Sequence, residues 1–274
     1  MRILFISEYY PPKIMGGGEI NLSILAESLA KKKHNVIVLT SMHKGLKSEE
    51  IINDVKIFRK LKTGDNASGI LNNFKRSLIY PYSIKRQINL IKKINPNVVH
   101  FIGNSFIAAK YLSKLNLPLF ATIESYPSLC PKGDRIYNGK KECEFICSPT
   151  KFIKCQSNSS EIGKMKNKFY FKYNPLFLIF IYLHYKRLNL SLKHCNLIAI
   201  SEYLKNLLKK HNLKSKIIGN AIDIDLFDPN NGTINKLKNN DNNNIKIVYL
   251  GSLTRYKGPQ ILLKAITDLN CNCE

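Results

Sequence analysis

The chain has no tryptophan and few acids: 19 Asp and Glu stand against 43 Lys and Arg in 274 residues, a formal net charge of +24. An excess of that size draws anions such as nucleic acid, lipid headgroups or phosphorylated substrates, without choosing among them. Lys, Asn and Ile are abundant where Trp is missing, a pattern that coding bias also produces, so charge alone assigns no function. Long hydrophobic runs are absent as well. The longest, Leu176–Leu183 (LFLIFIYL), falls far short of the ~20 apolar residues that cross a bilayer. No secretory leader is expected, because RILFIS runs straight into the acidic, proline-containing SEYYPP. There is no C-x2-C pair and no repeat of solenoid period. These absences leave a cytoplasmic protein, able to sit at the inner membrane face but not to span it.

What is present is an alternation. Short apolar runs predict strands at Arg2–Ser7, Asn35–Ser41, Val55–Leu61, Asn97–Gly103, Leu117–Ile123, Asn196–Ser201 and Ser215–Gly219. Amphipathic spacing predicts helices between them, over Glu19–Lys33, Leu78–Ile94, Ser105–Leu115 and Glu202–His211. Apolar strands alternating with amphipathic helices imply an α/β fold, a Rossmann-like parallel sheet with helices on both faces. Residues 1–229 read as this first domain, with a Cys-rich insertion at 125–160. Residues 230–244 are more than half Asn with no apolar periodicity, the composition of a solvated linker. Residues 245–274 then open a second domain: IKIVYL as a strand, GSLTRYKG as a basic loop, and PQILLKAI as a helix with Pro259 near its first turn. One strand and one helix cannot bury a core, so this domain is expected to be truncated.

Two loops carry candidate chemistry. Gly16, Gly17, Gly18 and Glu19 stand between the first strand and first helix, where close backbone approach and unpaired helix N–H groups suit a phosphate or a sugar hydroxyl. The G-x-G-x-x-G fingerprint is not matched and no acid ends the second strand, which disfavours a nicotinamide cofactor. The loop before Pro259 carries Arg255 and Lys257, cations that suit an anionic ligand.

RILFISEYYPPKIMGGGEINLSILAESLAKKKHNVIVLT resembles the opening of family 4 glycosyltransferases, which have the GT-B fold. The agreement continues through VVHFIG, AISEYLKNLL, IGNAIDIDLFDP and VYLGSLTRYKGPQILLKAI, in order along nearly the full chain. The resemblance implies two Rossmann-like domains facing a cleft, the N-terminal one engaging the acceptor and the C-terminal one a nucleotide-sugar donor. It implies transfer to a glycan or lipid-linked acceptor with retained anomeric configuration and no cofactor required for catalysis. Gly16–Gly18 and Glu19 would border that cleft, and Lys257 would contact the diphosphate. Where the family has Arg after a glycine, this chain has Ser252, and Arg255 would supply the cation instead. Glu124 follows the strand where relatives carry a polar pair near the reacting sugar, and it would receive acceptor hydroxyls or steady an oxocarbenium-like centre; capping of the next loop is the competing role. Asn220 would stand near the cleft or stabilise a turn. The missing remainder of the donor domain predicts weak or no catalysis.

Cys130, Cys143, Cys147 and Cys155 could hold a structural Zn²⁺ or remain thiols, the spacing leaving both open. His100, inside a strand pattern, reads as a core or cleft-edge histidine. The stretch KNKFYFKYNPLFLIFIYLHYKR mixes Lys with aromatics, as a packed helix interrupted at Pro175 or as an element lying on an anionic membrane surface. The competing class is a non-catalytic basic α/β domain that binds an anionic glycolipid, polysaccharide or membrane. Nucleic acid is the weakest partner, since no recognised nucleic-acid motif is present.

Overall fold

The computed structural model describes residues 1–65, 70–138, 141–157, 174–222, 224, 247–251, 253 and 257–269. The chain divides into two compact units, Met1–Ile222 and Asp223–Glu274. The first is built on β1 (Arg2–Ile6), α1 (Gly17–Lys31), β2 (Asn35–Ser41), β3 (Glu49–Ile52), β4 (Val55–Leu61), α2 (Ile70–Phe74), α3 (Tyr80–Arg86), α4 (Ile88–Ile94), β5 (Val98–Phe101), α5 (Ala109–Leu112), β6 (Leu119–Ile123), β7 (Ile136–Tyr137), β8 (Lys141–Glu142), α6 (Pro149–Ser157), α7 (Pro175–Ser191), β9 (Asn196–Ala199), α8 (Glu202–Lys210) and β10 (Ser215–Ile217). A π-helical turn, Lys75–Ile79, joins α2 to α3, and a 3₁₀ turn, Gly103–Ala108, leads into α5.

The main sheet has the order β10-β9-β6-β5-β1-β2-β4-β3 and is parallel except for β3, which lies antiparallel on β4 at one edge. Alternating side chains feed two cores. On one face Ile3, Phe5, Val36, Val38, Val55 and Ile57 pack under Leu22, Ala26 and Ala30 of α1. On the other, Leu4, Ile6, Leu39, Val99, Phe101 and Ala121 pack with Ile84, Leu112, Leu188 and Leu208. Burial on both faces explains why β1 and β2 read as nearly continuous apolar runs. It also explains their legibility. The Val55–Leu61 strand, too, has the predicted bounds.

Other expectations shift. The helix foreseen over Leu78–Ile94 is divided by the π turn and a break at Gln87. The one over Ser105–Leu115 becomes 3₁₀, α and 3₁₀ segments. EEII gives no period-2 apolar signal, so β3 was not expected; its partner β4 supplies the pairing. α7 begins at Pro175, with the Asn174 side chain accepting from the N–H groups of Leu176 and Phe177 as its N-cap. Residues 158–173 of that stretch lie outside the described residues.

In the second unit, α9 (Pro259–Asp268) follows Gly258, whose φ of +80° is the left-handed conformation that glycine adopts without strain. No residue of α9 is buried. The strand expected at Ile245–Leu250 is not formed over its described part, 247–250, and no strand among the described residues pairs with it. The Asn-rich segment 230–244 lies outside the described residues.

Candidate functional site

After β1 the chain passes to α1 on one face, and after β5 to the 3₁₀ turn and α5 on the other. The loops leaving the carboxyl ends of adjacent β1 and β5 therefore diverge, and such a switch point opens a crevice at the sheet edge where α/β proteins bind ligands. Two carboxylates stand there in different surroundings.

Glu8, just past β1, is buried. Arg76 of the π turn donates to it twice, Nε to Oε1 and Nη2 to Oε2, both at 2.8 Å, and Thr63 donates its hydroxyl. Burial pulls the Arg76 pKa down, but the hydrogen bond and charge of Glu8 outweigh it and hold it above its ordinary value. Tyr80, fully buried, shares a 2.7 Å hydrogen bond with Ser105, and burial beside Glu8 pushes its phenol well up. Glu8, Arg76, Asn104, Lys132, Phe180 and His184 help to line a cavity of about 310 Å³. Burial, with Arg187 and Arg76 nearby, brings His184 down to about 4, so its imidazole is neutral at physiological pH, and its buried Nδ1 has no hydrogen-bond partner. Neither Glu8 nor Arg76 was singled out in the sequence. Glu8, following an apolar strand in an α/β pattern, was the available signal.

The second carboxylate, Glu124, leaves the end of β6 and reaches the first turn of α1. A Cβ built on Gly18 would lie 2.7 Å from Glu124 Oε2, so glycine at 18 makes room for the carboxylate; at Gly17 a Cβ would meet nothing. Glu19 turns back to accept the Gly16 N–H at 2.8 Å, an N-terminal cap. Asn21 ties the cluster together. Its Nδ2 donates to Glu124 Oε1 and to Asn220 Oδ1, each at 3.2 Å, and its Oδ1 accepts the Ala221 N–H at 2.8 Å. Burial raises the Glu124 pKa, the Asn21 hydrogen bond lowers it, and the charge of Glu19 raises it again. With two carboxylates already against this helix end, hydroxyl groups suit the position better than a phosphate.

Asn21 was missed in the sequence. The signal was its place three residues after Gly18, on the helical face continued by Leu25 and Leu29. Those leucines, with Phe5, His100, Phe120 and Ile218, line an apolar groove of about 490 Å³ that begins at Asn21 and Asn220. His100 lies there half-buried, its Nε2 2.7 Å from the Thr122 hydroxyl and its ring 5.3 Å from that of Phe5; burial brings its pKa down to about 4.

Gly16, Gly17, Gly18, Glu19, Glu124 and Asn220 thus converge on one end of α1. Lys257 belongs to the second unit, on the turn before Gly258, where its carbonyl accepts from Tyr249 at 3.4 Å. Ser252 and Arg255 lie outside the described residues. Cys130, Cys143, Cys147 and Cys155 line one small cavity with Arg135 and Phe152. Burial pushes the Cys147 thiol up to about 12, with the other three sulfurs adding to the shift. Cys143, Cys147 and Cys155 direct their thiols to the carbonyls of Phe145, Ser148 and Ile136. Among the described residues no group of three or more His, Cys, Asp or Glu side chains is arranged to hold a metal ion.

A mostly parallel sheet of this order, with glycine-led α1 and a carboxylate at the strand ends, is the α/β architecture of GT-B glycosyltransferases. The profile of Glycosyltransferase Family 4 matches residues 15–226, well over half of the chain, and the chain belongs to that family. Solved structures agree on the fold. A sucrose-phosphate synthase from Thermosynechococcus elongatus aligns with a TM-score of 0.59 at 13% identity, over 98% of this chain and 60% of that one. A glycosyltransferase from Rickettsia africae ESF-5 aligns at 0.50 and 18% identity, over 98% and 58%. Os79 from O. sativa, solved with UDP, aligns at 0.51 and 10% identity, over 92% and 60%. The chain therefore spans about three fifths of the length of these structures. A comparison with curated protein sequences returns no significant match.

Proposed function

We propose that the protein transfers a sugar from a nucleotide-sugar donor to a hydroxyl of a glycan or lipid-linked acceptor, with retention of configuration. The observation that carries this reading is the Glu124 carboxylate, held by Asn21 against Gly18 at the carboxyl edge of the sheet. Departure of the nucleoside diphosphate leaves positive charge on the sugar ring, and a carboxylate nearby lowers the energy of that state. The same oxygens accept the hydrogen bond of an attacking hydroxyl and fix its direction. Glu124 carries both roles, Asn21 orients it, and Gly16–Gly18 with Asn220 border the acceptor. On the donor side, Lys257, Arg255 and Ser252 take the diphosphate, whose leaving charge needs cations where no metal serves. No cofactor enters these steps.

Transfer by the chain alone is expected to be slow, because α9, the helix beside Lys257, buries none of its residues. The test offers radiolabelled UDP-, GDP- and ADP-sugars with membrane and soluble glycan acceptors at high protein concentration. The expected result is label transfer confined to one nucleotide and inhibited by the matching nucleoside diphosphate. Absence of both transfer and nucleotide binding across the panel overturns the reading in favour of a non-catalytic binder.

A further inference from the structure

Acidic residues are missing from two long stretches: none stands between Asp65 and Glu124, nor between Glu161 and Glu202. The fold brings parts of both together. The ring of Phe74, at the end of α2, stacks on that of Phe180 in α7 at 4.3 Å, and Arg187 of α7 donates to the Ser77 carbonyl in the π turn at 3.1 Å. Each partner leaves an apolar stripe in solvent. On α7, Leu176, Ile179, Leu183 and Leu190 follow one helical face, with Leu176 at 76% exposure. On the segment from α2 to α3, Leu71, Phe74, Leu78 and Tyr82 do the same, with Leu71 at 78%. Scattered exposed leucines need no explanation, but two stripes at helical spacing joined by a stacked aromatic pair do.

The charge around them names the partner. Lys75, Lys85, Arg86 and Lys186 are exposed on the same elements. Lys85 and Arg86 stand over the Tyr82 ring, each 5.8 Å from its centroid, so an aromatic of interfacial type carries cations beside its ring face. A stripe of this kind made for a second protein copy would meet the same uncompensated cations across the contact, since the two elements offer no acid to pair with them. A bilayer rich in anionic headgroups satisfies both features at once, taking the leucines below the headgroups and the Lys and Arg side chains among them. No described helix is long and apolar enough to cross a membrane, so the contact lies in the surface plane.

We propose that the α2–α3 segment and α7 together form a docking face for an anionic lipid bilayer, on which the protein rests without spanning it. This holds whether or not the protein transfers sugar, because the binding needs no substrate.

Flotation of the full chain with vesicles tests it. Vesicles of phosphatidylcholine with about one third phosphatidylglycerol are expected to carry the protein at low salt, and pure phosphatidylcholine to carry about tenfold less. The triple variant Leu176→Ser, Ile179→Ser, Leu183→Ser and the pair Lys85→Glu, Arg86→Glu are each expected to lower the bound fraction about tenfold, with far-UV circular dichroism unchanged. A control pair elsewhere on the surface, Ile20→Ser with Ile51→Ser, is expected to bind as wild type. Equal binding to both vesicle types, equal loss in the control pair, or no binding at all overturns the proposal. So does a sedimentation result in which the stripe holds a dimer that the leucine variants dissolve. Should the leucine variants misfold, the charge pair alone decides, since both its side chains are exposed.

Discussion

Glu8 and Glu124 sit at the carboxyl edge of the same sheet, both withdrawn from water, yet they are managed in opposite ways. Glu8 meets a guanidinium in a two-point bond and a hydroxyl besides. Among the described residues Glu124 meets an amide, and Glu19, a like charge, stands close enough to raise its pKa. A neutralised carboxylate is a structural tie. One held by an amide keeps lone pairs and basicity for a ligand. The difference supports the role proposed for Glu124 and fits Glu8 to the scaffold of the adjoining cavity.

The largest effect should come from breaking the tie. Arg76→Ala leaves the Glu8 carboxylate buried without its cation and should cost about 3–5 kcal/mol of stability by urea denaturation. The double variant Glu8→Gln, Arg76→Met should recover most of that, because no buried charge is left alone. A comparable loss in both would refute the tie.

Next comes acid. His100 has a folded pKa of about 4, below the ordinary 6.5, so the unfolded chain binds the extra proton between those values. Its contribution is complete above about pH 6.5 and is lost as pH falls towards 4, by up to about 3 kcal/mol. Denaturant midpoints should fall over that window, with a shallower slope in His100→Phe; equal slopes would contradict the account. Glu124 works in the other direction, since a raised folded pKa stabilises at low pH and that contribution disappears as pH rises through it.

Smaller still is Gly18→Ala. The new methyl meets the far end of a flexible side chain, and alanine favours the helix, so stability should stay within about 1 kcal/mol of wild type. The Glu124 carboxylate must move, however. Carbon-detected NMR titration should find its pKa closer to the ordinary carboxylate value than in the parent. An unchanged titration would mean that Gly18 does not set the carboxylate's position.

Much of this was legible in the sequence. Strands buried on both faces announce themselves as apolar runs, so β1 and β2 were found with their bounds almost intact. The glycines that open α1 were singled out from their place after the first strand, and Glu124 from its place after a strand where the family resemblance points to a polar pair. The π turn was not, because nothing local in FKRSLI marks it; it lies where Arg76 bonds Glu8 and Arg187 bonds the Ser77 carbonyl, both partners far away in sequence. Asn21 was not, because a single polar residue on a helix has many uses, and only the fold brings Glu124, Asn220 and Ala221 around it. The thiol cluster was half legible: clustering in sequence foretold clustering in space, but not that three sulfurs would turn to backbone carbonyls.

The central claim is that Glu124 faces the reacting sugar. It is tested most directly by single-turnover sugar transfer in Glu124→Gln beside wild type, with nucleoside diphosphate affinity measured on the same samples. The account predicts a rate lower by about 100-fold with affinity unchanged, the loss of a charge that matters only in the transition state. Transfer at the wild-type rate would contradict it.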